Sequence, residues 1–185
     1  MPLLRMLEVG ALSTTNECSK SGLFSMERID LNSQDDGILQ QDFMERPLPT
    51  EDSERFDIIS LSLVLNFVPE ADGRGRMLQR TLEFLRAPTY PRPPPQIGEL
   101  FPCLFMVLPA PCVTNSRYMD EHLMETIMGS LGYKKTHSKI TNKLVYYLWT
   151  RTEDHAKPGA TFGKKEIRSG ASRNNFAIVT RMAPV

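Results

Sequence analysis

Residues 56–65 read FDIISLSLVL, and almost every position is apolar or β-branched. This composition is typical of a strand that is buried on both faces in the middle of a parallel sheet. Asn66-Phe67-Val68-Pro69 follows directly, and then Asp72–Leu85 places Met and Leu side chains at helical spacing. The stretch therefore predicts one strand, one loop and one helix of an α/β protein.

The same alternation extends in both directions from this strand. The further predicted strands are Leu3–Val9, Met26–Leu31, Ile38–Phe43, Phe101–Leu108, Lys143–Thr150 and Asn175–Arg181, with a second helix at Tyr118–Leu131. Such a pattern indicates an α/β fold with an open, mostly parallel sheet and helices on both of its faces. The last two strands are joined only by a loop, so we expect them to form an antiparallel pair at one sheet edge.

The chain of 185 residues is long enough for one core, and we expect a single domain over residues 1–185. Two segments are expected to be flexible loops, one proline-rich (87–97) and one rich in Gly, Lys and Ser (153–173). The first is a stiff surface connection or, alternatively, a proline-motif ligand.

Composition excludes several classes of protein. No apolar run approaches the roughly 20 residues of a membrane span, and Glu8 interrupts the only N-terminal apolar stretch that could serve as a signal. The cysteines show no metal-ligand spacing and the histidines are scattered, so neither a disulfide framework nor a metal site is expected. These residues are Cys18, Cys103, Cys112, His122, His137 and His155.

The charge balance of 22 basic and 22 acidic side chains hides an asymmetry. Residues 1–99 carry 10 Lys/Arg against 16 Asp/Glu, whereas residues 100–185 carry 12 against 6. A basic half of this kind indicates either a polyanion partner or a solvated face. Arg74 and Arg76, in the acidic half, are expected to be exposed residues of the first helical turn.

A candidate cofactor site lies at the ends of the first two strands. The first strand ends in Glu8-Val9-Gly10, and Asp30 at the end of the second follows Gly10 by 20 residues, the separation expected when an acid binds a ribose. The single glycine does not supply the amides that a pyrophosphate needs, which argues against NAD or FAD. S-adenosylmethionine fits better, because the polar residues 13–16 can meet its amino-acid tail.

Two more strand ends carry candidate site residues. Asp42 and Phe43 end the third strand, where a polar contact and an apolar face would bracket an adenine ring. Asn66 and Phe67 follow the fourth strand and would face the transferred methyl group. Core packing is the alternative for each phenylalanine.

The strings LEVGALSTTN, RIDLNSQ, ILQQDFMERPLP, FDIISLSLVLNFVP and RNNFAIVTR closely resemble the fungal 25S ribosomal RNA adenine-N(1) methyltransferases. The resemblance implies a class I methyltransferase fold, S-adenosylmethionine as cofactor, large-subunit rRNA or a pre-ribosome as partner, and a place in the nucleus and nucleolus. It also implies that Gly10 and Asp30 belong to the cofactor site, with Glu8, Asp42 and Phe43 beside them. Family members extend further before the first strand, so an N-terminal segment is expected to be missing here.

The chemistry implied by this resemblance needs few catalytic groups. The N(1) atom of adenine has its own lone pair, so the enzyme has to align nitrogen, methyl and sulfur rather than remove a proton. We expect Asn66 to accept a hydrogen bond from the adenine edge and Phe67 to stack on the extruded base. A related animal branch resembles a non-catalytic cofactor sensor with a protein partner, and this is the alternative function.

If the chain acts on rRNA, its basic half is expected to bind the RNA phosphates. We expect the protein to act as a monomer. We expect eight cations to contact RNA phosphates: Lys134, Lys135, Lys139, Lys143, Lys164, Lys165, Arg168 and Arg173. Three aromatic residues lie among them, Tyr146, Tyr147 and Trp149, and packing within the sheet is the interpretation that their spacing favours.

Overall fold

The computed structural model describes residues 4–88, 98–152 and 160–181. Most of the predicted proline-rich loop and the beginning of the predicted loop at 153–173 lie outside these residues. Within them, no helix is long and apolar enough to cross a membrane.

Seven strands form the main sheet in the order β3-β2-β1-β4-β5-β7-β6. All neighbours are parallel except those involving β7, which runs antiparallel to both β5 and β6. The strands are β1 (Leu4–Val9), β2 (Phe24–Asp30), β3 (Leu39–Gln40), β4 (Ile58–Ser62), β5 (Cys103–Pro109), β6 (Tyr133–Ile140) and β7 (Leu144–Arg151). The α/β class and the mostly parallel sheet with antiparallel strands at one edge are therefore confirmed.

Four helices accompany the sheet in the described residues: α1 (Glu17–Lys20), α2 (Ala71–Phe84), α3 (Pro111–Thr114) and α4 (Glu121–Ser130). Two 3₁₀ turns, Asp52–Glu54 and Leu65–Phe67, flank β4. Among the described residues the two faces are covered unequally, because the two long helices, α2 and α4, both pack into the main core. The residues between β1 and β2 leave room only for α1, whose Cys18 packs against the smaller apolar cluster on the opposite face.

Alternate residues of the central strands point into the main core. Leu7, Ile59 and Leu104 are fully buried there, one from each of three neighbouring strands. Tyr147 and Trp149 of β7 extend the same face, with ring centroids 5.2 Å apart and almost no exposed surface. Packing, and not contact with RNA, is therefore the structural role of these two aromatic rings.

The antiparallel partner of β7 is β6, and not Asn175–Arg181 as predicted. Strand β6 reads YKKTHSKI, and only Tyr133 at its start is buried. An edge strand of this kind is polar because one side of its backbone and much of its surface face water. Its sequence therefore lacks the apolar alternation from which the other strands were predicted.

Asn175–Arg181 lies outside the main sheet. Only its last residues form a strand, β9 (Thr180–Arg181), which pairs with β8 (Thr161–Phe162) in a separate two-stranded sheet. Phe176, Ala177 and Ile178 are buried all the same. We call residues 174–181 the C-terminal strap, because they run along α2 at the carboxyl end of the sheet.

The opposite end of the sheet is fastened by Asp57, which is 2% exposed. Its carboxylate accepts a hydrogen bond from the Arg5 backbone N–H at 2.8 Å and pairs with the Arg86 guanidinium at 3.1 Å. Its backbone carbonyl accepts from the Cys103 N–H at 3.0 Å. One residue thus joins the starts of β1, β4 and β5 to the segment that follows α2.

We predict that Asp57→Ala lowers the free energy of unfolding by about 2–3 kcal/mol, because a backbone amide and a guanidinium lose a buried acceptor. Asp52→Ala is the control, since Asp52 pairs with the same Arg86 at 3.6 Å but is largely exposed. The control should cost well under about 1 kcal/mol. Chemical denaturation measures both, and equal losses would show that Asp57 does not fasten the strands.

Candidate functional site

Gly10 follows β1 and has a conformation that suits only glycine. Its φ is +72°, in the left-handed region, and a Cβ there would lie 2.6 Å from Cγ2 of Val64. Its N–H donates to the carbonyl of Ile29 at 2.9 Å, which brings the turn beside the end of β2. The missing Cβ therefore lets the turn pack closely against Val64, at the carboxyl ends of β1 and β4, the edge at which open α/β sheets bind ligands.

Asp30 ends β2 next to this turn. Its Oδ1 accepts a hydrogen bond from the Asn32 N–H at 2.7 Å, and its backbone carbonyl accepts from Gln41 N–H at 2.9 Å. The carboxylate is partly exposed and retains acceptor capacity for hydroxyl groups of a ligand. Gly10 and Asp30 are thus brought together at adjacent strand ends.

Glu8 points to the opposite face of the sheet from Leu7 and Val9. Its Oε1 accepts from Nδ2 of Asn16 at 2.8 Å, and its Oε2 lies 3.9 Å from Nε of Arg28. Asn16 in turn caps α1 by accepting from the Ser19 N–H at 3.0 Å. The carboxylate of Glu8 therefore holds the loop after Gly10 in place.

Strand β3 ends at Gln40, earlier than predicted, so Asp42 and Phe43 lie in the loop that follows it and have different surroundings. Asp42 accepts a hydrogen bond from the Met44 N–H at 2.8 Å in a turn. The Phe43 ring is 2% exposed and packs against Phe84, with ring centroids 5.3 Å apart. Arg80 covers the same ring and donates to the Phe43 carbonyl at 2.9 Å. The ring lies in the core, so it is the side chain of Asp42 and the nearby backbone that face solvent at this strand end.

The loop after β4 carries an unusual pair of side chains. Oδ1 of Asn66 is buried and has no hydrogen-bond partner among the described residues. The neighbouring Phe67 ring is 79% exposed, so it does not pack in the core. The turn before them places Leu63 at φ 57°, a costly conformation for a branched side chain and one often found at functional sites.

Asn66 lines a cleft of about 930 Å³ at the carboxyl ends of β4 and β5. One wall consists of the loop after β4 and the start of α2, and the other of the C-terminal strap. The residues that line it include Asn66, Pro69, Glu70, Arg74, Pro109, Pro111, Cys112, Lys164, Asn174 and Phe176. The strap's side of this cleft was not identified from the sequence, because it depends on contacts between distant segments.

Arg74 joins the two walls, which corrects the expectation that it is an exposed first-turn residue. Its guanidinium donates to the carbonyls of Val68 at 2.9 Å and Ala177 at 2.8 Å, and it lies 4.7 Å from the centre of the Phe176 ring. Burial lowers the pKa of this guanidinium, but an arginine remains charged at neutral pH. Arg76, by contrast, is exposed and pairs with Asp72.

Cysteine chemistry does not suit this cleft. Burial raises the pKa of Cys112, the thiol that lines it, to about 11, so the neutral thiol dominates near neutral pH. Burial also raises the pKa of Cys18 and brings that of Cys103 to about 12. Among the described residues no group of three or more His, Cys, Asp or Glu side chains is arranged to hold a metal ion.

The strand order, the antiparallel β7 and the site at the carboxyl ends of β1, β2 and β4 define the fold of the class I methyltransferases. The profile of the family described as "25S rRNA (adenine(2142)-N(1))-methyltransferase, Bmt2" matches residues 2–178. The chain therefore belongs to this family.

Two relatives show how the chain compares with longer proteins. It is 39% identical over 173 residues to the 25S rRNA (adenine(2142)-N(1))-methyltransferase of Saccharomyces cerevisiae, covering 93% of this chain and 47% of the relative. It is 42% identical over 173 residues to the 25S rRNA adenine-N(1) methyltransferase of Schizosaccharomyces pombe, covering 94% and 59%. The chain thus spans about half the length of the relatives it matches.

A solved structure supports the fold alone. An O-methyltransferase family protein from Burkholderia thailandensis aligns with a TM-score of 0.50 and 6% sequence identity. The alignment covers 82% of this chain and 52% of that protein.

We predict that Gly75→Ala, in α2, lowers stability by about 1–3 kcal/mol although alanine favours helices. A Cβ at position 75 would overlap the carbonyl oxygen of Val179 and lie 2.8 Å from its carbonyl carbon. Thermal unfolding measures the change, and limited proteolysis reports whether the C-terminal strap has been released.

Gly129→Ala is the matched control, because Gly129 is also helical and a Cβ there meets nothing within 4 Å. This variant should be unchanged or more stable by up to about 1 kcal/mol. If Gly75→Ala behaved in the same way, the close approach of the C-terminal strap to α2 would be contradicted.

Proposed function

We propose that the chain is the catalytic core of an S-adenosylmethionine-dependent methyltransferase that methylates N(1) of an adenine in 25S ribosomal RNA. The observation that carries this proposal is the buried, unpartnered Oδ1 of Asn66 beside the exposed ring of Phe67. Membership of the family and the names of the two yeast relatives support the choice of substrate.

The residues present fit S-adenosylmethionine, which supplies a methyl group on a positively charged sulfur. Gly10 makes the left-handed turn at the end of β1, and the neighbouring Asp30 has the acceptor capacity for two ribose hydroxyls. Asp42 and the backbone near Phe43 are placed to meet the adenine edge of the cofactor. Glu8 would act indirectly: it accepts a hydrogen bond from Asn16 and so holds the loop that would meet the amino-acid tail of the cofactor.

Asn66 has the chemistry to orient a target adenine. The amino group of adenine is a donor next to N(1), and the unpartnered Oδ1 of Asn66 is an acceptor that needs one. A hydrogen bond between them would leave the lone pair of N(1) free to attack. The exposed Phe67 ring would stack on the face of the same base.

Charge in the cleft suits the product of this reaction. Methylation of N(1) places a positive charge on the base, and the carboxylate of Glu70 and the carbonyl of Asn66 both line the cleft. The thiol of Cys112 is neutral and would not compete with the base for the methyl group. The described side chains thus favour positioning and charge stabilisation as the sources of catalysis.

The N(1) atom takes part in base pairing, so the target must be unpaired or extruded when it is methylated. A large-subunit precursor at an early stage of assembly meets this requirement, which places the proposed activity in the nucleus and nucleolus. The proposed partner is therefore the rRNA or pre-ribosome, bound by a monomer of this chain.

Methyl transfer from a radiolabelled donor to 25S rRNA tests the proposal, with two variants that separate binding from chemistry. Asp30→Ala should abolish donor binding in calorimetry. Asn66→Ala should keep donor binding within about twofold and lower kcat by about 10²–10³-fold, the usual cost of one polar group in a transition state. Phe67→Ala should weaken substrate binding, and Phe67→Tyr, which keeps the ring, should restore it.

The proposed catalysis would be contradicted if the unsubstituted chain bound the donor but left the rRNA unlabelled. That result would favour the non-catalytic sensor with a protein partner. A label that mapped to an atom other than N(1) of adenine would contradict the assigned role of Asn66 instead.

A further inference from the structure

The hairpin of β6 and β7 carries two pairs of lysines at opposite ends of the sheet. Lys134 and Lys135 lie at the start of β6, opposite Thr150 and Trp149, and Thr150 is the neighbour of Cys103 at the start of β5. Lys139 and Lys143 lie at the hairpin tip, opposite the carboxyl end of β5. At about 3.3 Å per residue, the two pairs are separated by roughly 16 Å along the strand.

The hairpin tip is hydrogen-bonded to the segment after β5 that lines the same cleft as Asn66. The Ala110 N–H donates to the carbonyl of Lys143 at 2.8 Å, and Leu144 lies opposite Pro109 in the sheet. Pro109 and Pro111, on either side of Ala110, both line the cleft. The hairpin tip with Lys139 and Lys143 is therefore beside the cleft, and Lys134 and Lys135 are at the far end of the hairpin.

The opposite wall of the same cleft also carries exposed cations. Lys164 lines the cleft and sits 4.4 Å from the centre of the Tyr118 ring, and Lys165 follows it on the exposed segment before the C-terminal strap. No ion pair of Lys139, Lys143, Lys164 or Lys165 is found among the described residues. Lys135, at the far end of the hairpin, by contrast pairs with Glu125 at 2.8 Å.

Other cations of the basic half are used inside the protein. Arg168 donates to the carbonyls of Ser116, Val113 and Met119, at 2.5–3.1 Å. Arg173 donates to the Ser169 carbonyl at 2.8 Å. Both were assigned to phosphate contacts from the sequence, but their guanidinium groups hold the segment that leads into the C-terminal strap.

Building on the proposed function, we infer that the RNA backbone runs across the cleft between two cationic banks. The first is the hairpin tip with Lys139 and Lys143, and the second is Lys164 with Lys165. Ammonium groups on flexible stems contact phosphates without reading sequence, and the exposed ring of Phe67, next in the chain to the cleft-lining Asn66, offers a stacking surface. This arrangement suits a single strand, because only an unpaired base can present N(1) to Asn66.

Salt-dependent binding of a fluorescent single-stranded oligoadenylate of about 20 nucleotides tests this inference. The double variant K139Q/K143Q removes two phosphate contacts, so the slope of log K against log salt concentration should fall by about 1.4. K134Q/K135Q is the control, because it removes the same charge from the opposite end of the same hairpin. Its slope should stay within about 0.3 of the unsubstituted chain.

K164Q tests the second bank, and we expect it to reduce the slope by about 0.7. Equal effects of the two double variants would overturn the inference and show that only total charge matters. No effect of K139Q/K143Q, or no RNA binding by the chain at 20 mM salt, would also overturn it and favour a protein partner for this surface.

These failures can be distinguished from a failure of the proposed function. Donor binding and methyl transfer at saturating rRNA and low salt are measured on the same variants. K139Q/K143Q should raise KM for rRNA about tenfold and leave kcat within about twofold, since neither lysine contacts the reacting atoms. If methyl transfer persists but K139Q/K143Q does not change the salt slope, the two cationic banks are rejected and the proposed function is not.

Discussion

The carbonyl oxygen of Val179 occupies the space in which any residue but glycine at position 75 would carry its Cβ. This close approach lets the C-terminal strap lie directly on α2, where the Val179 N–H also donates to the carbonyl of Ala71 at 3.0 Å. Arg74 can then reach both the loop after β4 and the strap. The cleft that Asn66 lines therefore has two walls because one helical position has no side chain.

The fold was predictable wherever burial leaves a periodic trace in the sequence. Strands β4 and β5 are apolar almost throughout because both of their faces are buried, strand β7 alternates, and the two long helices carry apolar residues at helical spacing because one face of each is buried. Strand β6 lacks this trace, since it pairs only with β7 and faces water. Residues 176–178 show the opposite error: they are buried, but against α2 rather than in a sheet. An apolar pattern reports burial and does not report which backbone the segment pairs with.

The candidate site was predictable to the extent that topology alone determines it. Gly10, Asp30 and Asn66 follow neighbouring parallel strands, so any such sheet brings them to one edge. The same reasoning could not separate a ring in the core from a ring at the surface. The Phe43 ring is buried in the core, whereas the Phe67 ring is exposed. It also could not find the strap, because the bond from Arg74 to the carbonyl of Ala177 joins residues 103 positions apart.

The basic half of the chain divides by residue type. Arginines serve largely as internal ties: Arg151 donates to the carbonyls of Leu82, Leu85 and Arg86, Arg117 to those of Gly170 and Ala171, and Arg168 to four more. The planar guanidinium suits this use, because it presents five donors in a rigid fork. Lysines have one compact charge on a flexible stem and remain outside. Counting charge along a sequence therefore overstates a polyanion surface, since arginines such as Arg151, Arg117 and Arg168 satisfy backbone carbonyls inside the protein.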